Sequence, residues 1–228
     1  MSQSLVSRAG AVARMFRRVC RKRGFVRAMW LGVHELFFDL WNGTRTSLDI
    51  PNGSVASPKN YEGHEGSNPL LFEELLRTVS LERGRSVFLD YGAGKGRALL
   101  LAAQHGFKKA IGVELSAALC ATALRNSSTY RKRHPWSSIE VHCADAATFE
   151  VPDEVNVAYF FNPFGPEVML AAIDRIIESL RRSPREFHVI YLNPRYGELF
   201  IRKGFIPVYR QGTEGLILCC GRVDRRSS

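Results

Sequence analysis

Short apolar runs alternate with helical stretches from about residue 70 to the end of the chain. Continuous apolar runs of this length are typical of strands that are buried on both faces. We predict seven strands, at 87–89, 110–113, 139–143, 156–161, 187–192, 205–209 and 215–220. The helices predicted before and between them span 70–79, 97–105, 116–125 and 166–180, with a short one near Glu198. This alternation predicts an α/β fold, a doubly wound, seven-stranded, mainly parallel sheet with an N-terminal helical extension.

A glycine-rich turn follows the first predicted strand. Asp90 ends that strand, and the turn then contains Gly92, Ala93, Gly94 and Gly96. Glycine lets the backbone approach a ligand closely. The helix predicted from residue 97 presents N–H groups at its N-terminus, next to the turn. The turn is therefore a candidate ligand-binding loop.

The second predicted strand ends in Glu114, followed by Leu115, and this carboxylate can bind two ribose hydroxyls. An ordinary dinucleotide fold also has an acid about 20 residues after its glycines. Two details favour S-adenosylmethionine (SAM) instead. The spacing is G-x-G-x-G, and Asp90 stands directly before the turn, where it suits the ammonium group of methionine and would repel a pyrophosphate.

A third acid, Asp145, follows the third predicted strand in the run Cys-Ala-Asp-Ala. Its carboxylate can accept a hydrogen bond from the exocyclic amine of adenine, and the Ala146 N–H can donate to a ring nitrogen. An isolated Asp more often caps a turn. Because the carboxyl ends of parallel strands share one edge of the sheet, we interpret Asp145 as part of the same cofactor site.

The fourth predicted strand ends in the turn Asn162-Pro163-Phe164. The Asn162 side chain and the Pro163 carbonyl offer acceptors that can hold an amine, and the Phe164 ring offers a face to a cation. Such a pocket can aim a nitrogen lone pair along the line of the departing sulfur. The alternative is a turn between strand and helix with Phe164 in the core.

The loop at 90–97, Glu114, Asp145 and the Asn-Pro-Phe turn together resemble class I SAM-dependent methyltransferases over roughly residues 60–220. The resemblance implies a Rossmann-like methyltransferase fold. Residues 161–168, Phe-Asn-Pro-Phe-Gly-Pro-Glu-Val, are similar to a turn of the non-SET histone-lysine methyltransferases, although a proline replaces the second asparagine of that family. Tyr61-Glu62-Gly63 resembles their cofactor-covering loop. The turn also resembles the Asn-Pro-Pro-aromatic motif of enzymes that methylate amino groups of adenine or glutamine.

The resemblance implies a SAM-dependent N-methyltransferase that acts on a protein amine such as lysine. Asn162, Pro163 and Phe164 would orient the acceptor, Asn162 would also lie beside the cofactor, and Tyr61 would close over it. His64 is the one histidine that we consider as a base. The alternatives are an RNA or small-molecule methyltransferase and a non-catalytic SAM-binding interaction protein.

The net charge of +10 is concentrated near the N-terminus. Residues 1–34 contain eight basic residues and no acid, and apolar and basic positions fall on opposite sides of a predicted helix. This helix could pack on the domain, bind an anionic membrane surface or nucleic acid, or serve as a transit segment. We divide the chain into an extension, 1–60, and a methyltransferase domain, 61–228.

Five cysteines show no C-x-x-C pair and no metal-like spacing with histidine: Cys20, Cys120, Cys143, Cys219 and Cys220. We interpret all five as reduced packing residues, and we expect no metal. No apolar run approaches the roughly 20 residues of a membrane-spanning helix. We expect a cytoplasmic protein, or a peripheral membrane or organellar one if the extension directs it there.

Overall fold

The predicted sheet is present in the computed structural model, which describes residues 37–46, 69–161 and 163–220. Its seven strands are β1 Val87–Tyr91, β2 Lys109–Glu114, β3 Ile139–Cys143, β4 Val155–Phe161, β5 Phe187–Leu192, β6 Ile206–Gln211 and β7 Gly215–Cys220. The helices between and before them are α1 Pro69–Thr78, α2 Arg97–Gln104, α3 Ala117–Arg133, α4 Pro166–Arg182 and α5 Gly197–Arg202. A short 3-10 helix, Arg83–Arg85, precedes β1.

The strand order is β3-β2-β1-β4-β5-β7-β6. Strands β1 to β5 are parallel to one another, whereas β7 lies antiparallel between β5 and β6. The mainly parallel, Rossmann-like arrangement is thus confirmed. The chain order reverses between β1 and β4, and in open α/β sheets ligands bind at the carboxyl ends of the strands at such a point.

Each face of the sheet is covered by its own layer of helices. One apolar cluster joins the sheet to α1 and α2 through residues such as Phe72, Leu75 and Leu99. The second joins the opposite face to α4 and α5 through residues such as Ile173 and Phe200. Strands β1, β5 and most of β4 are therefore buried on both faces, which explains their continuous apolar sequences.

Helix α3 is longer than predicted. Its start is confirmed, since the Ser116 Oγ accepts a hydrogen bond from the Leu119 N–H at 3.4 Å. It continues to Arg133 although the run Asn126-Ser127-Ser128-Thr129 has low helix propensity. Burial of Tyr130 in the core holds this part of the helix in place, so tertiary packing outweighs the local preference.

Part of the segment assigned to the extension packs on the domain. Residues 37–42 are helical, and Phe38 belongs to the apolar cluster of α1 and α2. The predicted basic helix, Cys20, Tyr61 and His64 lie outside the described residues. No helix in the part of the chain that the structure describes is long and apolar enough to cross a membrane.

Gly112 in β2 is required by close packing, so Gly112→Ala is expected to destabilise the protein. An added Cβ would lie 2.7 Å from Leu99 Cδ1 and 2.8 Å from Ala93 Cβ. Overpacking of this kind costs roughly 1–3 kcal/mol of unfolding free energy. Chemical denaturation measures the loss. Gly84→Ala is the matched control, because nothing lies within 4 Å of the added carbon there. Equal stabilities of the two variants would contradict the packing argument.

Candidate active site

The loops that follow β1 and β4 touch each other at the switch point. A Cβ added to Gly92 would lie 2.5 Å from Pro163 Cβ and 3.8 Å from the ring of Phe164. The glycine loop and the Asn-Pro-Phe turn are therefore neighbours, as their positions after two central strands predict. This contact brings the candidate cofactor loop and the candidate acceptor turn into one place.

The glycine loop has the backbone conformation for which glycine is suited. Gly92, Gly94 and Gly96 have φ angles of 76°, 55° and 85°, in the left-handed region. Several loop N–H groups are already bound within the protein. Those of Gly92 and Ala93 donate to the Val113 carbonyl at 2.9 and 3.0 Å. The loop is thus folded tightly over the end of β2, and fewer of its N–H groups face a ligand than the sequence suggested.

Glu114 holds the glycine loop with one oxygen and the start of α3 with the other. Its Oε2 accepts from the Gly94 N–H at 2.8 Å, and its Oε1 accepts from the Ser116 N–H at 2.9 Å. A carboxylate has about four lone-pair sites, so both oxygens retain capacity for ribose hydroxyls. The contact of Glu114 with ribose hydroxyls stays a prediction. So does the cofactor-binding role of Leu115, which is half-buried.

Asp90 is a buried acid without a compensating cation among the described residues. Its side chain lies near the end of β1, one residue before the strand ends, and it is 3% exposed. Burial, and secondly the charge of Glu114, raises the pKa of this carboxyl well above its usual value. A buried carboxylate normally has a partner. The ammonium group of SAM has the charge that this site lacks, so the residues present fit that cofactor.

Asp145 caps the turn after β3. Its Oδ1 accepts from the Ala147 N–H at 2.8 Å, and its carbonyl accepts from the Phe149 N–H at 2.9 Å. This is the turn role that the sequence allowed for an isolated Asp. The role of Asp145 toward adenine, and that of the buried Ala146, stay predictions, and the turn role is compatible with them.

The structure describes two of the three residues of the Asn-Pro-Phe turn. Pro163 is half-buried, and Asn162 lies outside the described residues. Phe164 is 2% exposed and packs edge-on against Tyr91, with 6.4 Å between ring centroids. It therefore occupies the core position that the sequence offered as the alternative. A role of the Phe164 ring toward the acceptor stays a prediction. Because the ring is buried, this role requires that the acceptor pocket reach as far as the ring.

Two buried polar residues that the sequence analysis did not single out hold residues 37–46 against this region. The Arg97 guanidinium lies 4.6 Å from the centre of the Phe38 ring, and its Nε donates to Thr46 Oγ1 at 2.7 Å. Asn126 accepts from the Arg45 N–H at 2.9 Å and donates to the Lys95 carbonyl at 2.9 Å. A polar residue on the apolar stripe of α3 was the available signal for Asn126.

The four described cysteines carry free thiols. Burial raises the pKa of Cys120 to about 12, and its Sγ donates to the Glu114 carbonyl at 3.1 Å. Cys120 and Cys219 are buried, as predicted, and Cys220 is partly buried, but Cys143 is exposed. The prediction was wrong for Cys143 because it stands at the end of β3, an edge strand with an exposed face.

Comparison with protein families supports the same class of site. Residues 88–183 match the family model described as a methyltransferase domain. No curated protein sequence matches the chain. Together with the acids and glycines at the switch point, the match defines this part of the chain as a SAM-dependent methyltransferase domain. The model's description specifies no methyl acceptor, and the finer resemblance to histone-lysine enzymes stays a prediction.

Solved structures share the fold. The O-MT segment of StiE has a TM-score of 0.50 and 17% identity, over 62% of this chain and 53% of that one. The chain thus spans about half the length of that structure. A SAM-dependent methyltransferase from Mesorhizobium loti has a TM-score of 0.50 and 16% identity, over 66% and 97%. A Pyrococcus horikoshii protein provisionally described as an RNA methyltransferase has a TM-score of 0.50 and 17% identity, over 85% and 98%.

Asp90→Asn is expected to stabilise the protein without cofactor and to weaken SAM binding. Removing the buried charge raises the unfolding free energy on the order of 1 kcal/mol, or about 2–4 °C in Tm for a chain of this size. SAM affinity is expected to fall about tenfold or more, because a charge-assisted contact is lost. Thermal denaturation and calorimetry measure the two effects. The exposed Glu140→Gln is the control, and a variant that binds SAM normally would contradict the role of Asp90.

The stability gain of Asp90→Asn is also expected to grow with pH. Below about pH 4 both the folded and the unfolded chain carry a protonated Asp90. Above that, the unfolded chain loses the proton first, so the unfolding free energy of the unmodified protein falls until the raised pKa is passed. The Asp90→Asn variant has no ionisable group at this position, so its unfolding free energy does not fall with pH for this reason. A Tm difference that stays constant from pH 4 to 8 would show that Asp90 keeps an ordinary pKa.

Glu114→Ala is expected to weaken SAM by about 2–3 kcal/mol, roughly 30- to 150-fold in Kd. The variant loses the acceptor for ribose hydroxyls and leaves the Gly94 and Ser116 N–H groups without their partner. Calorimetry with SAM and with NAD tests both affinity and selectivity, since NAD is not expected to bind. Glu140→Ala removes an equal charge from an exposed site on β3 and serves as the control. Unchanged SAM affinity in Glu114→Ala would contradict the assignment of Glu114 to the ribose hydroxyls.

Proposed function

We propose that the protein transfers the methyl group of SAM to a protein amine such as the side chain of lysine. The observation that carries the proposal is the contact between Gly92 and Pro163. It supports a place for Pro163 beside the glycine loop. We infer that the Pro163 carbonyl and the side chain of Asn162, the preceding residue in the sequence, accept hydrogen bonds from the amine there. The resemblance of this turn to two groups of enzymes that methylate nitrogen adds support.

The chemistry divides between cofactor and protein. Bound SAM supplies a methyl group on a sulfonium, which is an excellent leaving group. Asp90 and Glu114 hold the cofactor at the strand ends, and Asn162 orients the amine so that its lone pair faces the methyl carbon. The protein's contribution is therefore mainly alignment and the exclusion of water.

A lysine acceptor is protonated in solution and must lose its proton before transfer. Asp90 and Glu114 are assigned to the cofactor, so another group must take this proton. His64 is the candidate base from the sequence. Otherwise the proton passes to solvent before the amine is enclosed.

Labelling of a cell lysate tests the proposal. The full chain is incubated with SAM carrying a radiolabelled methyl group and with a fractionated lysate that has been treated with protease, nuclease or neither. We expect label in a protease-sensitive, nuclease-resistant fraction. Prior chemical acetylation of lysine amines in the lysate, which turns each amine into a non-nucleophilic amide, should abolish it. Label that survives this blocking would exclude lysine, and an absence of label despite SAM binding would support the non-catalytic alternative.

Asn162→Ala is expected to keep SAM affinity and to lower turnover about 100-fold or more, since an orienting group is lost. Calorimetry and the labelling rate measure these separately. Because Phe164 is buried, its replacement by alanine would cost about 3–5 kcal/mol of stability, so Phe164→Leu is the better test of its ring. We expect Phe164→Leu to raise the acceptor KM more than the SAM Kd. Normal kinetics per folded molecule in both variants would make the turn structural.

RNA is the second candidate substrate, and basic surface charge favours it. Arg131, Lys132 and Arg133 end α3, and Trp136, 76% exposed, follows them. Eight further basic residues lie within residues 1–34. Basic side chains next to an exposed aromatic ring suit phosphate contact and base stacking. Nuclease-sensitive label, steep loss of binding with salt, and loss of binding on deleting residues 1–24 would favour RNA over protein.

The extension can also carry the domain to an anionic membrane surface, and vesicles that contain anionic lipid separate this role from RNA binding. A cytoplasmic location and a role in protein methylation remain part of the proposal.

A further inference from the structure

Three potential metal ligands meet at the end of the sheet opposite the cofactor site. Glu186 and His188 are two residues apart at the start of β5, so their side chains share one face of the strand. Cys219 lies directly across from His188 on the antiparallel strand β7. One ligand atom from each of the three lies within 4.8 Å of the others.

We propose that Glu186, His188 and Cys219 bind a divalent transition-metal ion, with zinc as the best-suited ion. Zinc combines thiolate, imidazole and carboxylate ligands in tetrahedral sites, and three protein ligands with one water is a common set. Glu186 is exposed, so solvent reaches the site and supplies that water. Sequence spacing could not show this site, because the histidine and the cysteine are brought together by strand pairing.

The distance between the histidine and the glutamate agrees with tetrahedral coordination. The His188 Nε2 and the Glu186 Oε1 are 3.4 Å apart. Two ligand atoms at about 2.0–2.1 Å from a zinc ion and at the tetrahedral angle are about 3.3 Å apart. The two atoms therefore already have the separation that a shared ion requires.

The environment of the ligands points the same way. His188 is 8% exposed and Cys219 is 2% exposed, so both side chains are held in fixed surroundings. Zinc binding would replace the proton of the Cys219 thiol, which passes to solvent as a zinc–sulfur bond forms.

The ion would have a structural role. It would join β5 to β7, the strand that brings the C-terminal hairpin into the sheet. From His188 to the carboxyl end of β5 is about 13 Å of strand, so the ion would lie well away from the methyl-transfer site. We therefore expect it to change stability more than turnover.

Metal analysis of the full chain, purified without a polyhistidine tag, tests the proposal. After metal removal by a chelator, titration with zinc against a chromophoric chelator should give one equivalent of bound zinc and a higher Tm. Cobalt should give a thiolate charge-transfer absorption band. Cys219→Ser should lose the cobalt absorption band and the tightly bound equivalent of zinc. Glu186→Gln, at an exposed position, should keep the fold and weaken zinc about tenfold or more.

Matched controls are present in the chain. Cys220→Ser changes the adjacent cysteine, whose side chain faces the other side of β7. Glu140 and His142 repeat the Glu-x-His pattern on β3 at 3.8 Å without belonging to such a cluster, so His142→Gln should leave zinc binding unchanged. Zinc binding that survives in Cys219→Ser, or that is lost equally in Cys220→Ser or His142→Gln, would overturn the proposal. If Cys219→Ser does not fold, an unchanged zinc affinity in Glu186→Gln overturns it as well.

Discussion

The two hydrogen bonds of the Glu114 carboxylate are the constraint on which the site depends. One oxygen binds the Gly94 N–H and the other binds the Ser116 N–H. The glycine loop, the end of β2 and the start of α3 are thereby fixed to a single side chain. The same loop lies against the turn after β4, because Gly92 leaves room for Pro163. The glycine loop and the Asn-Pro-Phe turn can therefore lie together because Glu114 holds the loop and Gly92 has no side chain that would collide with Pro163.

A site fixed in this way carries an internal electrostatic cost. Asp90 is buried at the end of β1, and the charge of Glu114 makes its ionisation still less favourable. The described part of the chain contains no cation that offsets this cost. If the ammonium group of SAM binds at Asp90, as predicted, it would remove this penalty, and free energy that is unfavourable in the empty fold would become affinity for SAM. This is how function and stability oppose each other at functional sites.

Most of the fold could be predicted from the sequence, because β1, β2, β4 and β5 are parallel to one another and largely buried, so their sequences are mostly apolar. Strands β3, β5 and β7 were predicted to the residue. The length of α3 was not, since burial of Tyr130 is a tertiary effect that local propensity does not show. The strand-end positions of Asp90, Glu114 and Asp145 followed from the pattern of elements. Contacts between distant segments did not, as the Arg97–Thr46 bond and the pairing of His188 with Cys219 demonstrate.

The sequence and the fold say less about the methyl acceptor than about the cofactor, and the reason is physical. The predicted cofactor-binding residues lie in turns and at strand ends, and the order of strands and helices sets their spacing. They can therefore be recognised from the sequence. Under the proposed function, acceptor recognition would depend on the Asn-Pro-Phe turn and on segments that approach from elsewhere in the chain. Residues 37–46 show how such an approach works, since buried Arg97 and Asn126 hold them beside the glycine loop. Selection among lysine, RNA and small amines therefore rests on what these approaching segments carry, while the sheet supplies the methyl-transfer chemistry common to all three.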